Sequence, residues 1–157
     1  GGRCALGKTP VLVAVEDKGE EGLGRIRLMC INNASHASIV GALTLMIEPG
    51  STVRTDGWQG YAGLKKEGYD HVVIEKAVAL DEENLTPLVH RVASLLKRWL
   101  LNTHQGSVHR THLPYYLDEF VFHFNRRTSR SRGLLFYRLV QQALAVYPVP
   151  AIHLKAS

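Results

Sequence analysis

The feature that most limits the fold is an amphipathic pattern over residues 85–100. On a helical wheel of about 100° per residue, apolar side chains form one broad face, and His90, Ser94 and Lys97 cluster opposite. Thr86-Pro87 marks the predicted start, because a hydroxyl residue suits the N-cap and proline suits the first helical position. A helix with so wide an apolar face must pack against another apolar layer.

Short strand-like runs supply that layer. Val11–Val15 is continuously apolar, Arg25–Ile31 alternates polar with apolar residues, and the turn formers between them predict a β-hairpin. In chain order, the other predictions are a helix from Ser35 to about Ile47, a strand ending at Asp56, a short helix over 58–67, a strand over His71–Ile74, and helices over 112–127 and 134–146. This order predicts an α/β fold in which helices cover a mixed sheet.

Length and composition indicate one globular domain. The chain has 157 residues, enough for a substantial core, and contains no low-complexity tract. No apolar run reaches the roughly 18 residues needed to cross a bilayer, and no secretory signal is visible, which predicts a cytoplasmic location and no membrane partner. Cys4 and Cys30 lack the spacing of a zinc site, and Cys30 is predicted to be a small core residue.

The basic charge lies in the last third of the chain. Residues 1–50 carry five basic and five acidic side chains, and residues 51–100 carry seven of each. Residues 101–157 carry seven basic against two acidic side chains, so they contain the whole net charge of +5. This asymmetry favours a polyanionic partner such as nucleic acid, and a solvated basic surface without a partner is the alternative.

Three segments together resemble the catalytic domain of bacterial insertion-sequence transposases of the ISXO type. They are Thr52–Tyr61 around Asp56-Gly57, His90–Arg98, and Tyr116–Arg127, and the similarity extends over about residues 5–145. The resemblance implies a DDE-superfamily enzyme on a ribonuclease H-like fold. Such enzymes hydrolyse a phosphodiester at the element ends and join the freed 3′-hydroxyl to target DNA. The resemblance also implies a homo-oligomer on DNA and a nucleoid-associated location in the cytoplasm.

The resemblance implies that this copy is truncated. In the ribonuclease H-like fold three strands precede the first helix, and the first of them carries the first catalytic aspartate. Only two strands are predicted ahead of the first helix in this chain. The first strand is therefore expected to be missing ahead of Gly1-Gly2, and Glu16 or Asp17 is a weaker substitute for its aspartate. The absent part is expected to supply that aspartate and a zinc-binding DNA-recognition module. The 157-residue chain alone is expected to be inactive in strand transfer.

Three residues match the catalytic motifs of the family. Asp56 matches the second aspartate, which implies a ligand for divalent magnesium or manganese; capping of a helix near Trp58 is the alternative. His90 lies where relatives carry glutamate or asparagine, which implies that it binds metal, accepts a proton or holds a metal-bound water. An exposed histidine without a role is the alternative. Lys97, seven residues further on, is suited to contact a phosphate, and a solvated lysine is the alternative.

Further residues are candidates for contact with DNA. The predicted DNA-binding residues are Lys97, Arg98, Arg126, Arg127, Arg130 and Arg132, although a helix C-terminus also attracts cations through its dipole. Trp58 and Tyr61 are suited either to stack on a base or, more favourably, to fill the core beside the site.

The predicted organisation is a single, partial ribonuclease H-like catalytic domain over residues 1–157, in which 102–157 is a basic helical extension. Two other functions remain open. A different ribonuclease H-like nuclease, such as a resolvase, would cleave branched DNA without joining ends. A degenerate remnant would bind DNA through its basic last third without catalysis.

Overall fold

The computed structural model describes residues 9–74, 86–105 and 108–150, apart from the side chain of Arg132. The strands are β1 (Val11–Asp17), β2 (Leu23–Cys30), β3 (Thr52–Thr55) and β4 (Asp70–Val73). The helices are α1 (His36–Met46), α2 (Pro87–His104), α3 (Leu113–Asn125) and α4 (Arg132–Ala145), with 3-10 turns at Gly19–Glu21, Gln59–Tyr61 and Leu64–Glu67. The α/β class is confirmed.

Alternation along β1 and β2 divides the hairpin between two apolar cores. The strands pair antiparallel, which confirms the predicted hairpin, and Val13 lies opposite Leu28. Leu12 on β1 joins the core under α1, whereas Ile26 and Leu28 on β2 join a second core under α2 and α3. Successive strand residues point to opposite faces, so helices on both sides explain why Val11–Val15 is apolar without interruption.

The strands form two separate pairs rather than the single mixed sheet that was expected. β3 and β4 run parallel, with Val53 opposite His71, and no ladder joins them to β1 and β2 among the described residues. Instead, side chains connect the pairs: Arg54 forms an ion pair with Asp17 at 3.4 Å, and Val53 shares the α1 core with Leu12. The predicted missing first strand lies outside the described residues, and the two strand pairs do not establish a ribonuclease H-like topology, so both stay predictions.

The helix that follows the hairpin begins and packs as its sequence indicates. The Ser35 hydroxyl accepts a hydrogen bond from the Ser38 amide at 3.4 Å, which satisfies one of the free N–H groups of the first turn. Ile39 and Leu43, four residues apart and so on one face of the helix, are 2% and 4% exposed. The α1 core therefore lies between this helix, β1 and β3.

One local prediction was wrong, and another was confirmed only in part. Residues 58–67 form two 3-10 turns instead of one short helix, because Gly63 between them adopts a left-handed conformation with φ of 90°. Thr86 precedes α2, but its φ of −140° and ψ of 64° leave its side chain without a capping hydrogen bond. Pro87 does occupy the start of the helix. Leu85, which was assigned to the apolar face, lies outside the described residues.

The second core holds α2 and α3 against the hairpin. Val92 and Leu96 of α2 and Leu117 and Phe120 of α3 are at most 7% exposed and pack with Ile26 of β2. Within α4, by contrast, none of the residues whose burial is described is buried. Among the described helices, none has the length and apolar character required to cross a membrane.

Candidate catalytic residues and nucleic-acid interface

Asp56 lies directly after β3, in a turn held by side-chain hydrogen bonds. Its Oδ1 accepts a hydrogen bond from the Trp58 amide at 3.3 Å, and the buried hydroxyl of Thr55 accepts one from the Gly57 amide at 3.3 Å. The Thr55 hydroxyl also lies 2.8 Å from Nε2 of His71. Hydrogen bonds from a side chain to a backbone amide two residues further on stabilise a turn and do not require a helix to follow. One carboxylate oxygen of Asp56 therefore stabilises the turn, and the side chain is partly exposed at the end of the strand.

Glycines on either side of Trp58 allow the turn to form. Gly57 has a φ of 71°, and a Cβ at this position would lie 2.6 Å from Cγ1 of Val73. A Cβ at Gly60 would overlap the Trp58 ring. That ring meets the Tyr61 ring edge-on, with 5.9 Å between centroids, and both pack against the α1 core. This packing supports the interpretation of Trp58 and Tyr61 as core residues beside the candidate site.

The exposed face of α2 carries the polar cluster that the sequence indicated. His90, Ser94 and Lys97 are all exposed, while Val92 and Leu96 on the opposite side are 0% and 7% exposed. Seven residues separate His90 from Lys97, which corresponds to roughly 10 Å along a helix axis. Both side chains can therefore face the same extended ligand.

The described residues do not provide a complete metal site. Within 9–74, 86–105 and 108–150, no group of three or more histidine, cysteine, aspartate or glutamate side chains is placed to hold a metal ion. Asp56 follows a strand of the α1 core, whereas His90 lies in the first turn of α2, which packs on the second core. One carboxylate and one imidazole fall short of the oxygen-rich ligand set that magnesium prefers. Joint metal ligation by Asp56 and His90 stays a prediction.

Two of the candidate DNA-binding arginines contact their own chain. The Arg126 guanidinium lies 3.9 Å from the centre of the Phe122 ring. The Arg127 guanidinium lies over the Phe124 ring at 4.2 Å and donates hydrogen bonds to the carbonyl oxygens of Leu23 and Gly24 in β2, the latter at 3.2 Å. Arg127 thus fastens the end of α3 to the hairpin, a role that sequence reasoning missed.

The remaining candidate arginines are placed differently. Arg98 and Arg130 are exposed, and the side chain of Arg132 is not described. Arg98 lies on α2 one residue after Lys97, whereas Arg130 lies in the loop before α4. DNA contact by all six basic residues stays a prediction.

Asn125 is a second structural residue that the sequence did not reveal. Its side-chain oxygen accepts a hydrogen bond from the Ile26 amide at 2.7 Å, and its nitrogen donates to the Ile26 carbonyl at 2.9 Å. The amide group therefore pairs with β2 as a neighbouring strand would, along the edge away from β1. The partners are 99 residues apart, and no local sequence signal indicates such a contact.

Partial burial shifts the acid–base behaviour of two groups, of which only Cys30 packs against the second core. It raises the pKa of the Cys30 thiol, which the nearby Arg110 charge lowers and the Asp118 charge raises to smaller extents. Burial also raises the pKa of the Asp118 carboxyl group. Cys30 packs against the second core, in agreement with the small core residue that was predicted. Its thiol is correspondingly poor as a nucleophile.

Paired strands covered by helices, a strand-end aspartate and a basic last third define an α/β protein with features suited to DNA. Comparison with known families identifies the family of this protein. The model of the ISXO2-like transposase domain matches residues 1–125, and the chain belongs to that family. The predicted resemblance to insertion-sequence transposases is confirmed. No curated protein and no solved structure matches significantly. The matched range includes Asp56, His90 and Lys97 and ends before α4.

Proposed function

We propose that this chain is the catalytic domain of a DDE-type transposase, which cleaves DNA at insertion-sequence ends and joins the freed 3′-hydroxyl to target DNA. The family match over residues 1–125 carries the proposal, because it makes the chain a transposase domain with DNA as its partner. The exposed cluster on α2 and the strand-end carboxylate support the assignment of the site. The proposed form is a homo-oligomer on DNA.

The proposed roles follow from the chemistry of each side chain. Asp56 offers an oxygen ligand from a turn that restricts its movement. His90 offers an imidazole that either binds metal or accepts a proton, and Lys97 offers a positive charge to a phosphate on the same helix face. Magnesium or manganese is the proposed cofactor, and it would activate the attacking oxygen and stabilise the leaving one. The described donors do not complete that site, so further ligands must come from outside the described residues.

Manganese titration with NMR detection tests the role of Asp56. Paramagnetic Mn²⁺ should broaden the amide signals of Gly57 and Trp58 first, and Asp56→Asn should abolish this broadening. Asp70→Asn is the matched control, because Asp70 is an exposed aspartate at the start of the neighbouring strand. Broadening that persists in Asp56→Asn, or that disappears equally in Asp70→Asn, would remove Asp56 from the metal site.

A second candidate is a DNA-binding remnant without catalysis, and the incomplete ligand set favours it. In a strand-transfer assay with manganese, the 157-residue chain by itself is expected to give no joined product under either function, so manganese binding and DNA binding distinguish the two. Manganese binding at Asp56 together with DNA binding supports the transposase site. DNA binding without any manganese effect supports the remnant, and cleavage of branched DNA without joining would indicate a resolvase-like nuclease.

A further inference from the structure

Thr55 and His71 form a hydrogen-bonded pair directly behind the Asp56 turn. The Thr55 hydroxyl lies 2.8 Å from Nε2 of His71, and it accepts a hydrogen bond from the Gly57 amide at 3.3 Å. Thr55 is 6% exposed, and His71 is half-buried. A buried hydroxyl group costs free energy unless hydrogen bonds satisfy it, so these two bonds account for a threonine at this place.

The pairing of β3 with β4 brings His71 to Thr55. Val53 lies opposite His71 in the parallel pair, and Thr55 follows Val53 by two residues. Side chains two residues apart share one face of a strand, and Val53 and Thr55 are both buried on this face. The Ile74 amide also donates a hydrogen bond to the Thr55 carbonyl oxygen at 2.9 Å. The second strand therefore holds both the main chain and the side chain of Thr55.

The Thr55 hydroxyl connects β4 to the backbone on the far side of Asp56. It accepts the amide of Gly57, whereas Asp56 Oδ1 accepts the amide of Trp58. Each bond runs from a side chain to an amide two residues further on, so the two turns overlap and share the peptide groups around Asp56. The direction of the Asp56 carboxylate thus depends on the rotamer of Thr55, which the bond to His71 selects.

We propose that Thr55 and His71 are positioning residues for metal binding at Asp56. His71 fixes the Thr55 hydroxyl, and this hydroxyl fixes the turn that aims the Asp56 carboxylate. The inference rests on the proposed function, in which Asp56 is a metal ligand. Neither positioning side chain contacts the metal. A ligand that is oriented before binding loses less conformational freedom when the metal arrives, so the pair raises the affinity of the site.

A second side-chain bond between the same strands provides the comparison for a purely structural role. The Thr52 hydroxyl donates to Oδ2 of Asp70 at 3.4 Å, at the opposite end of β3 from Asp56. Thr52→Val and Thr55→Val each remove one hydroxyl group and one bond between β3 and β4. Only Thr55→Val should change the Asp56 turn, and urea unfolding followed by circular dichroism establishes that each variant is folded.

Amide exchange without metal tests whether the pair orients Asp56. Thr55→Val should speed solvent exchange, measured by NMR, about 5-fold at Gly57, which loses its hydrogen bond, and also at Trp58, whose hydrogen bond is to Asp56. Thr55→Ser keeps the hydroxyl group and should restore slow exchange at both amides. Unchanged exchange of the Trp58 amide in Thr55→Val, or the same acceleration in Thr52→Val, would overturn the proposal.

Manganese titration tests whether this orientation matters for metal binding. Thr55→Val and His71→Leu should each raise about 10-fold the Mn²⁺ concentration that broadens the Trp58 amide signal by half. Thr55→Ser and His71→Gln, which keep polar atoms at the same reach, should retain most of the affinity. Thr52→Val should bind Mn²⁺ as the wild-type chain does. An equal loss of affinity in Thr52→Val would contradict the positioning role.

The wild-type titration separates failure of this inference from failure of the proposed function. Absence of Mn²⁺ broadening in the wild-type chain would refute the metal site at Asp56 and the inference with it. Broadening in the wild-type chain that neither Thr55→Val nor His71→Leu weakens would refute the positioning role alone. In that case Asp56 would remain the proposed metal ligand, and the pair would only join β3 to β4.

Discussion

Replacing Asn125 with alanine should destabilise the whole domain, because the Asn125 side chain forms hydrogen bonds with two buried backbone groups, the N–H and the C=O of Ile26. Ile26 is 0% exposed, and its N–H and C=O bond to Asn125 at 2.7 and 2.9 Å. Alanine leaves both groups without a partner. Each buried unsatisfied group costs about 1 to 3 kcal/mol, so Asn125→Ala should lower the free energy of unfolding by about 2 to 6 kcal/mol. That is a large part of the roughly 5 to 15 kcal/mol that stabilises an ordinary domain.

Urea unfolding followed by circular dichroism measures the loss, and hydrogen exchange at the Ile26 amide locates it. Asn102→Ala is the matched control: Asn102 is an exposed asparagine on α2, and its loss should change stability by no more than about 0.5 kcal/mol. A loss below about 1 kcal/mol in Asn125→Ala, with unchanged dependence on urea, would show that water replaces the side chain at the β2 edge, contrary to the reasoning.

Three other features are tested by further variants. Gly57→Ala should lower the free energy of urea unfolding by about 1 to 3 kcal/mol, because the φ of Gly57 is 71° and the added methyl group meets β4. Gly41→Ala, in the open middle of α1, is the control and should be neutral or stabilising. Burial raises the folded pKa of Asp118 above its usual 3.8, so the contribution of this carboxyl group to the free energy of unfolding is complete below pH 3.8 and is lost as the pH rises. Asp118→Asn should flatten this decline. An unchanged slope of stability against pH between pH 4 and 7 would contradict the reasoning. Arg130→Ala should reduce the dependence of DNA binding on salt concentration by about one counterion without altering the stability of the fold. Arg127→Ala, in contrast, should reduce stability. Identical effects of the two variants would show that Arg127 is not structural.

Elements governed by local patterns were predictable from the sequence. The hairpin follows from alternating residues in Arg25–Ile31, and the α1 start follows from Ser35, whose hydroxyl does cap the helix. The prediction failed where backbone geometry overrides pattern, as at Gly63, whose positive φ divides the expected helix into two turns. Separation of the strands into two pairs was also not predictable, since pairing depends on segments that are distant in the sequence.

The candidate site was predictable in composition but not in assembly. The helical wheel placed His90 and Lys97 on the exposed side of α2, and the structure confirms their exposure. Their relation to Asp56 depends on how the two cores are joined, which no local spacing encodes. The arginine cluster shows the same limit: charge suggested DNA contact, whereas the Arg127 side chain bonds to carbonyl groups more than 100 residues away.

The bond between Asn125 and Ile26 has a consequence for synthesis on the ribosome. Because the partners are 99 residues apart, the outer edge of β2 stays open until translation has passed the end of α3. At roughly 5 to 20 residues per second, that interval lasts on the order of 5 to 20 s. During this time the nascent hairpin presents an unpaired strand edge to other chains, so chaperone binding should favour this stage of translation.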